Sequence, residues 1–204
     1  MTVLAVVVIA GCMDYEQTIT VNDDLSGYAE FNVALNPNLG DNMNEDGSMS
    51  ETPANFLVED FSEIPGCKIE DDSYSYDAET EMEHFYAKLK LDDLNSINGH
   101  GMFENDRTLS VTEENGVITY REVLMVSRRE TPPDTIPDDE LSEDEKMMRE
   151  MMEGYSFTYR VVMPSNVTET NGKIGEDGRT VIWTWPTSEF IVLGEIEVFA
   201  ECAK

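Results

Sequence analysis

At 204 residues the chain is long enough to bury a core without metals, and a single domain accounts for it. Its 40% hydrophobic content, with eight Tyr, eight Phe and two Trp, excludes a wholly disordered chain. The 43 acidic against 13 basic side chains leave a formal net charge of -30, which repels phosphate backbones and excludes nucleic acid as a partner; it suits a solvated acidic coat, cations or basic partners.

Residues 3–10 are uninterruptedly apolar, too few for a bilayer-spanning helix of about 20 residues but enough for the hydrophobic region of a secretory leader. The run closes on Ile9-Ala10-Gly11-Cys12, which resembles the bacterial lipobox. In that class of signals the cysteine thiol receives a diacylglyceryl group and the leader is cut before it, where small residues let a peptidase hold the extended backbone. Residues 1–11 are therefore expected to be a lipoprotein signal peptide, Cys12 the lipidated residue, and 12–204 one extracytoplasmic domain held to a bacterial membrane in the cell envelope. Only Met1 and Thr2 precede the apolar run, where such leaders normally carry Lys or Arg. The alternative is a first buried strand with an incidental cysteine.

After Cys12, Tyr15, Gln17, Ile19 and Val21 alternate on one face, as do Ala29, Phe31, Val33 and Leu35, with a turn-rich Asn22 to Gly27 between them; the pair reads as a hairpin. Residues 36–54 read as a long polar loop. Within it Asn42, Asn44 and Asp46, followed by Gly47, resemble the opening ligands of a Ca²⁺ loop, but the twelfth position falls on Pro53, so the metal reading is weak and a plain polar loop is preferred. Leu57, Phe61 and Ile64 at helical spacing before Pro65-Gly66 predict a short helix over 54–64.

Cys67 and Ile69 open a strand region, Phe85, Ala87, Leu89 and Leu91 alternate in a strand over 82–91, and a short helical turn is expected near Leu94 and Ile97. A second hairpin joins Leu109–Val111 to Val117–Val123 through Glu113-Glu114-Asn115-Gly116. Residues 127–141 read as a solvated polar loop, and Ser142 to Glu145 as a capping box opening a helix with Met147, Met148, Met151 and Met152 on its packing face. The last third is strand-rich, from Tyr155 to Met163, Arg179 to Trp185 and Ile196 to Cys202. These elements predict an α+β fold, an antiparallel β-sheet of several hairpins with two or three short helices packed on it. With Cys12 reserved for lipid, Cys67 and Cys202 form an even pair in an oxidising compartment, and a disulfide is expected between them; two buried free thiols are the alternative.

The stretch Gly154 to Gly172, followed by Gly178 to Trp185, resembles the LppM-like group of bacterial lipoprotein domains, about a third of the chain carrying the likeness. The shared pattern is a late strand ending in Pro164, a segment with Val167 and Asn171, and a strand carrying Trp183. The resemblance implies a mixed α/β extracytoplasmic domain that binds a lipid or glycolipid and has no enzymatic role. Pro164 as a strand end and Asn171-Gly172 as a turn also account for the pattern as architecture alone.

Catalytic chemistry has little to build on. His84 lies on the polar face of a strand and His100 in an Asn-Gly-His-Gly loop, both expected to face solvent, and carboxylates are too numerous for any pair to stand out. No cofactor is implied. The leading expectation is a non-catalytic, membrane-anchored lipoprotein that binds a lipid-like ligand or an envelope protein. A carboxylate-dependent hydrolase and a passive structural surface lipoprotein are the alternatives.

Overall fold

The computed structural model describes residues 13–35, 61–80, 82–98, 100, 107–125, 154–187 and 195–204. Among them lie eleven strands: β1 (Met13–Val21), β2 (Gly27–Leu35), β3 (Cys67–Asp77), β4 (Met82–Leu91), β5 (Arg107–Glu114), β6 (Val117–Met125), β7 (Ser156–Val162), β8 (Val167–Thr170), β9 (Lys173–Ile174), β10 (Thr180–Pro186) and β11 (Glu195–Ala203). They form a seven-stranded sheet in the order β3-β4-β2-β1-β7-β10-β9 and a four-stranded sheet in the order β5-β6-β11-β8. All neighbouring strands run antiparallel except β1 and β7, which are parallel.

The period of two that makes these strands is plain in β1, where Tyr15, Gln17, Ile19 and Val21 are buried and Asp14, Glu16, Thr18 and Thr20 are half-exposed. β2 returns along it with Tyr15 opposite Val33 and Ile19 opposite Ala29. The connecting turn closes by Asn22 N–H donating to the Ser26 carbonyl at 2.9 Å, and the Asp24 carboxylate accepts from the Ser26 N–H at 3.1 Å. The hairpin of β5 and β6 turns on two residues, Asn115 at φ 55° and Gly116 at φ 79°, the left-handed pair that matches the twist of adjoining strands. The apolar faces of both sheets share one core, in which Ile19, Leu89 and Val161 of the larger sheet join Ile118, Val198 and Cys202 of the smaller. β8 and β9 step from one sheet to the other across Asn171-Gly172, tying the layers at one edge.

The two ends of the molecule differ. At the entry end Met13 lies opposite Leu35, Leu35 opposite Glu83, and Glu83 opposite Tyr76. The far end gathers the tight turns at 22–26 and 115–116 with the last residue, whose N–H donates to the Gly116 carbonyl at 2.8 Å.

Three expectations are corrected. The fold is nearly all-β: among the described residues only Phe61, Ser62 and Thr187 are α-helical, while the short helical turn expected near Leu94 and Ile97 is present as a 3-10 turn, Leu94–Ile97, capped by the Asp93 carboxylate accepting from Asn95 N–H at 2.9 Å. A second sheet, rather than helices, covers the described core, and each sheet's period-two face closes on the other. Phe61 and Ile64 do turn inward, Phe61 stacking on Phe31 with ring centroids 5.1 Å apart, while the rest of the helix expected over 54–64 and most of the Met-bearing helix lie outside the described residues. The larger sheet is mixed, because β1 takes β7 as a parallel neighbour. Finally, Cys67 and Cys202 are free thiols. Cys67 opens edge strand β3 opposite Leu91, whereas Cys202 lies in the smaller sheet opposite Ile118 and Val167. Alternation turns both inward, but a shared interior does not make them neighbours.

Candidate functional site

Two arrangements of side chains stand out, one sealed between the sheets and one open at their joined edge. The sealed one begins with polar residues at inward-facing positions: Gln17 on β1, Arg107 on β5 and Glu122 on β6, which are 1%, 7% and 0% exposed. Arg107 Nε lies 2.8 Å from Glu122 Oε1, a close ion pair rather than an aimed hydrogen bond, since neither atom meets hydrogen-bond geometry. The other carboxylate oxygen accepts from Gln17 Nε2 at 3.1 Å and from the Tyr120 hydroxyl in a short contact, and the Tyr15 hydroxyl donates to Gln17 Oε1 at 2.9 Å. Burial above all, and the Glu122 charge next, push the Tyr120 phenol well above its ordinary pKa. Burial alone would lower the Arg107 pKa, yet Glu122 and the surrounding tyrosines hold it above the usual value.

The network joins the two sheets and balances one buried positive charge with one negative. Neither of the two surface pockets described below touches it. Its chemistry is that of a lock. A general acid or base needs access to a substrate proton, and Glu122 already spends its oxygens on Arg107, Gln17 and Tyr120.

The open arrangement is a shallow groove of about 510 Å³ at the step from β8 to β9, lined by Asn171, Gly172, Lys173, Ile182, Trp183, Thr184 and Trp185. Asn171 builds it. Its Oδ1 accepts from Trp183 Nε1 at 2.9 Å and from Phe199 N–H at 3.0 Å, while its Nδ2 donates to the Glu197 carbonyl at 2.8 Å, so one side chain ties β10 to β11. Gly172 lies so close beneath the indole that a Cβ there would come within 2.4 Å of Trp183 Cε2. Trp185 is held edge-on by Tyr159, with centroids 5.8 Å apart and planes at 70°. β9 pairs with β10 at Val181 and Ile182. The groove's volume falls in the range of small-molecule sites, and its chemistry is an aromatic floor with an exposed lysine at the rim.

A second pocket of about 450 Å³, at the far end, is lined by Thr20 to Asp24, Pro164 and Arg179. Arg179 is engaged there, its Nε donating to the Met163 carbonyl at 3.0 Å.

Of the residues singled out by sequence, Asn171 and Trp183 meet in the groove, Pro164 borders the far-end pocket, and Val167 pairs with Cys202 on β8. His84 lies half-buried on the outer face of β4 opposite Ala34 and Ser75, and His100, also half-buried, donates its backbone N–H to the Ile97 carbonyl at 3.2 Å. Cys12, residues 1–11 and Asn42, Asn44 and Asp46 lie outside the described residues, as do the loops 36–54 and 127–141. Among the described residues no three His, Cys, Asp or Glu side chains converge as a metal site, and no helix is long and apolar enough to cross a membrane. Gln17, Arg107 and Glu122 were missed by sequence reasoning. The signal was present, since each occupies the inward phase of an otherwise apolar alternation, as in Ile118-Tyr120-Glu122-Leu124.

The LppM domain model matches residues 13–192. The folded domain of LppM from Mycobacterium tuberculosis, solved by NMR, is similar in structure at a TM-score of 0.51 and 12% sequence identity, covering 95% of this chain and 91% of that one; at that identity the likeness carries the fold alone. No curated protein matches the chain.

Proposed function

The chain belongs to the LppM domain family, and from that premise we propose that it is a lipoprotein of the cell envelope, anchored through Cys12, whose domain binds a lipid-like amphiphile in the groove of Trp183 and Trp185 without catalysis. The observation that carries the reading is the groove itself: both tryptophans of the chain line it, Trp183 held by Asn171 and Trp185 by Tyr159, with Lys173 at the rim. An aromatic floor accepts an acyl or glycosidic face, and a lysine suits a phosphate or other polar head. The sealed Arg107–Glu122 network supports a binding role over hydrolysis, because the most deeply buried carboxylate among the described residues is committed to structure.

Because Trp183 and Trp185 are the only two indoles, their emission reports on the groove alone. Titrating the delipidated domain with dodecylphosphocholine below its micellar concentration is expected to give a saturable blue shift that Trp185→Ala abolishes. A response absent, or unsaturable, would overturn the groove assignment. Intact mass of membrane-extracted protein tests the anchor, since a diacylglyceryl adduct on Cys12 is expected and an unmodified chain retaining Met1 removes it.

A further inference from the structure

β1 begins at Met13, the residue directly after Cys12. On the anchor reading above, which this inference rests on, the acylated residue is joined to the sheet by one peptide step of about 3.8 Å. A domain tethered so closely has no linker on which to stand away from the membrane, so its entry end meets the bilayer surface.

Strand register shows what the described residues of that end present. The row through Met13 runs outward across Leu35 and Glu83 to Tyr76. The next row inward crosses six strands as Tyr74, Phe85, Val33, Tyr15, Phe157 and Trp185. In its middle the rings are buried, but at one flank Tyr74 and Tyr76 are 46% and 53% exposed, and at the other Trp185 is half-buried beside exposed Pro186. The two rows are two residues apart, about 7 Å along a strand, so these rings lie at headgroup depth from an acylated Cys12. Tyr and Trp are the side chains that favour that layer, with an apolar body and a polar tip. The acidic turns at Asp23-Asp24, Glu113-Glu114 and Glu176-Asp177 are at the opposite end, facing water. Among the described residues the entry end also carries Asp14, Asp77, Glu79, Glu83 and Glu195, which disfavour an anionic surface and select a zwitterionic one.

We propose that the entry end is a membrane-resting face, with Tyr74, Tyr76 and Trp185 seated in a zwitterionic headgroup layer and the far-end turns held in water. The mouth of the tryptophan groove then opens at the bilayer surface, where an amphiphile can pass into it without crossing water.

The test uses the full lipidated chain in phosphatidylcholine vesicles. A nitroxide is placed at Tyr76→Cys or, as the far-end control, at Glu114→Cys, both in a Cys67→Ser background that leaves the acylated Cys12 and the buried Cys202. Relaxation by lipid-soluble oxygen is expected to exceed relaxation by a water-soluble nickel chelate severalfold at position 76, with the opposite order at 114. Inserting a Gly-Ser linker of about ten residues before Met13, with a reach of about 18 Å, is expected to bring position 76 toward the behaviour of 114. Equal, water-like relaxation at both positions in a chain that carries the lipid mass overturns this inference and leaves the anchor standing. A chain without the lipid mass on Cys12 overturns both.

Discussion

Glu122 is a carboxylate without solvent exposure, and such a group stays charged inside a protein only where a cation and hydrogen-bond donors replace its water. Arg107, Gln17 and Tyr120 supply them. Removing one partner strands the other, so Arg107→Met, which keeps the side chain's bulk, is expected to lower unfolding stability by about 3 to 5 kcal/mol. Glu122→Gln should cost a similar amount, because the guanidinium then lacks its counter-charge. The double variant is expected to fall well short of the sum of the two, since it leaves no unpaired charge behind. Urea unfolding of the four proteins measures this, and strictly additive losses would show that the pair is not coupled.

At the scale of elements, the step from β8 to β9 depends on a missing side chain. A Cβ on Gly172 would meet Trp183 Cε2 at 2.4 Å and Val181 Cγ1 at 2.6 Å, and both belong to residues fixed in the core. Gly172→Ala is therefore expected to destabilise the fold by about 1 to 3 kcal/mol and to change tryptophan emission as the indole shifts. Gly116→Ala makes the contrast. Nothing lies within 4 Å of its Cβ position, so its cost comes from φ 79° alone, about 1 to 2 kcal/mol, with emission unchanged. Far-ultraviolet melting and fluorescence on the same samples separate the two. The hairpins of β1–β2 and β5–β6 were legible because their turns and alternation are local in sequence, and Asn115-Gly116 marked the second directly. The parallel partnership of β1 with β7 was not, since nothing near Tyr15 encodes a neighbour at Phe157. β3 was legible only at Cys67 and Ile69: past the register shift near Asp71 it is an exposed edge without alternation. The family motif drew attention to Asn171 and Trp183, but a hydrogen bond between them and the glycine beneath the indole required the fold. The thiol pairing failed for the same reason, as alternation specifies a face and not a neighbour.

For the whole molecule, a net charge of -30 on one chain sets carboxylates against one another, and the folded state holds them closer than the unfolded chain does. Lowering the pH from 7 protonates part of the glutamates and relieves this repulsion, so at low ionic strength the melting temperature is expected to rise towards about pH 5. Other groups oppose the trend further down. The Thr180 hydroxyl, with the Thr180 and Arg179 backbone N–H groups, holds Asp177 at about 2, and similar hydrogen bonds lower Asp24 and Asp77. A carboxylate whose pKa is depressed in the fold lends stability above its unfolded value of 3.8 and loses it as pH falls through the folded one. Stability should therefore decline between about pH 4 and pH 2, and Asp177→Asn should flatten part of that decline. In about 1 M salt, where the screening length is about 3 Å, the rise between pH 7 and pH 5 should vanish while the acid-side loss through these close contacts persists. Thermal melts across pH at both ionic strengths decide the matter: an acid-side rise that survives high salt would show that its origin is a specific protonation rather than the charge of the whole surface.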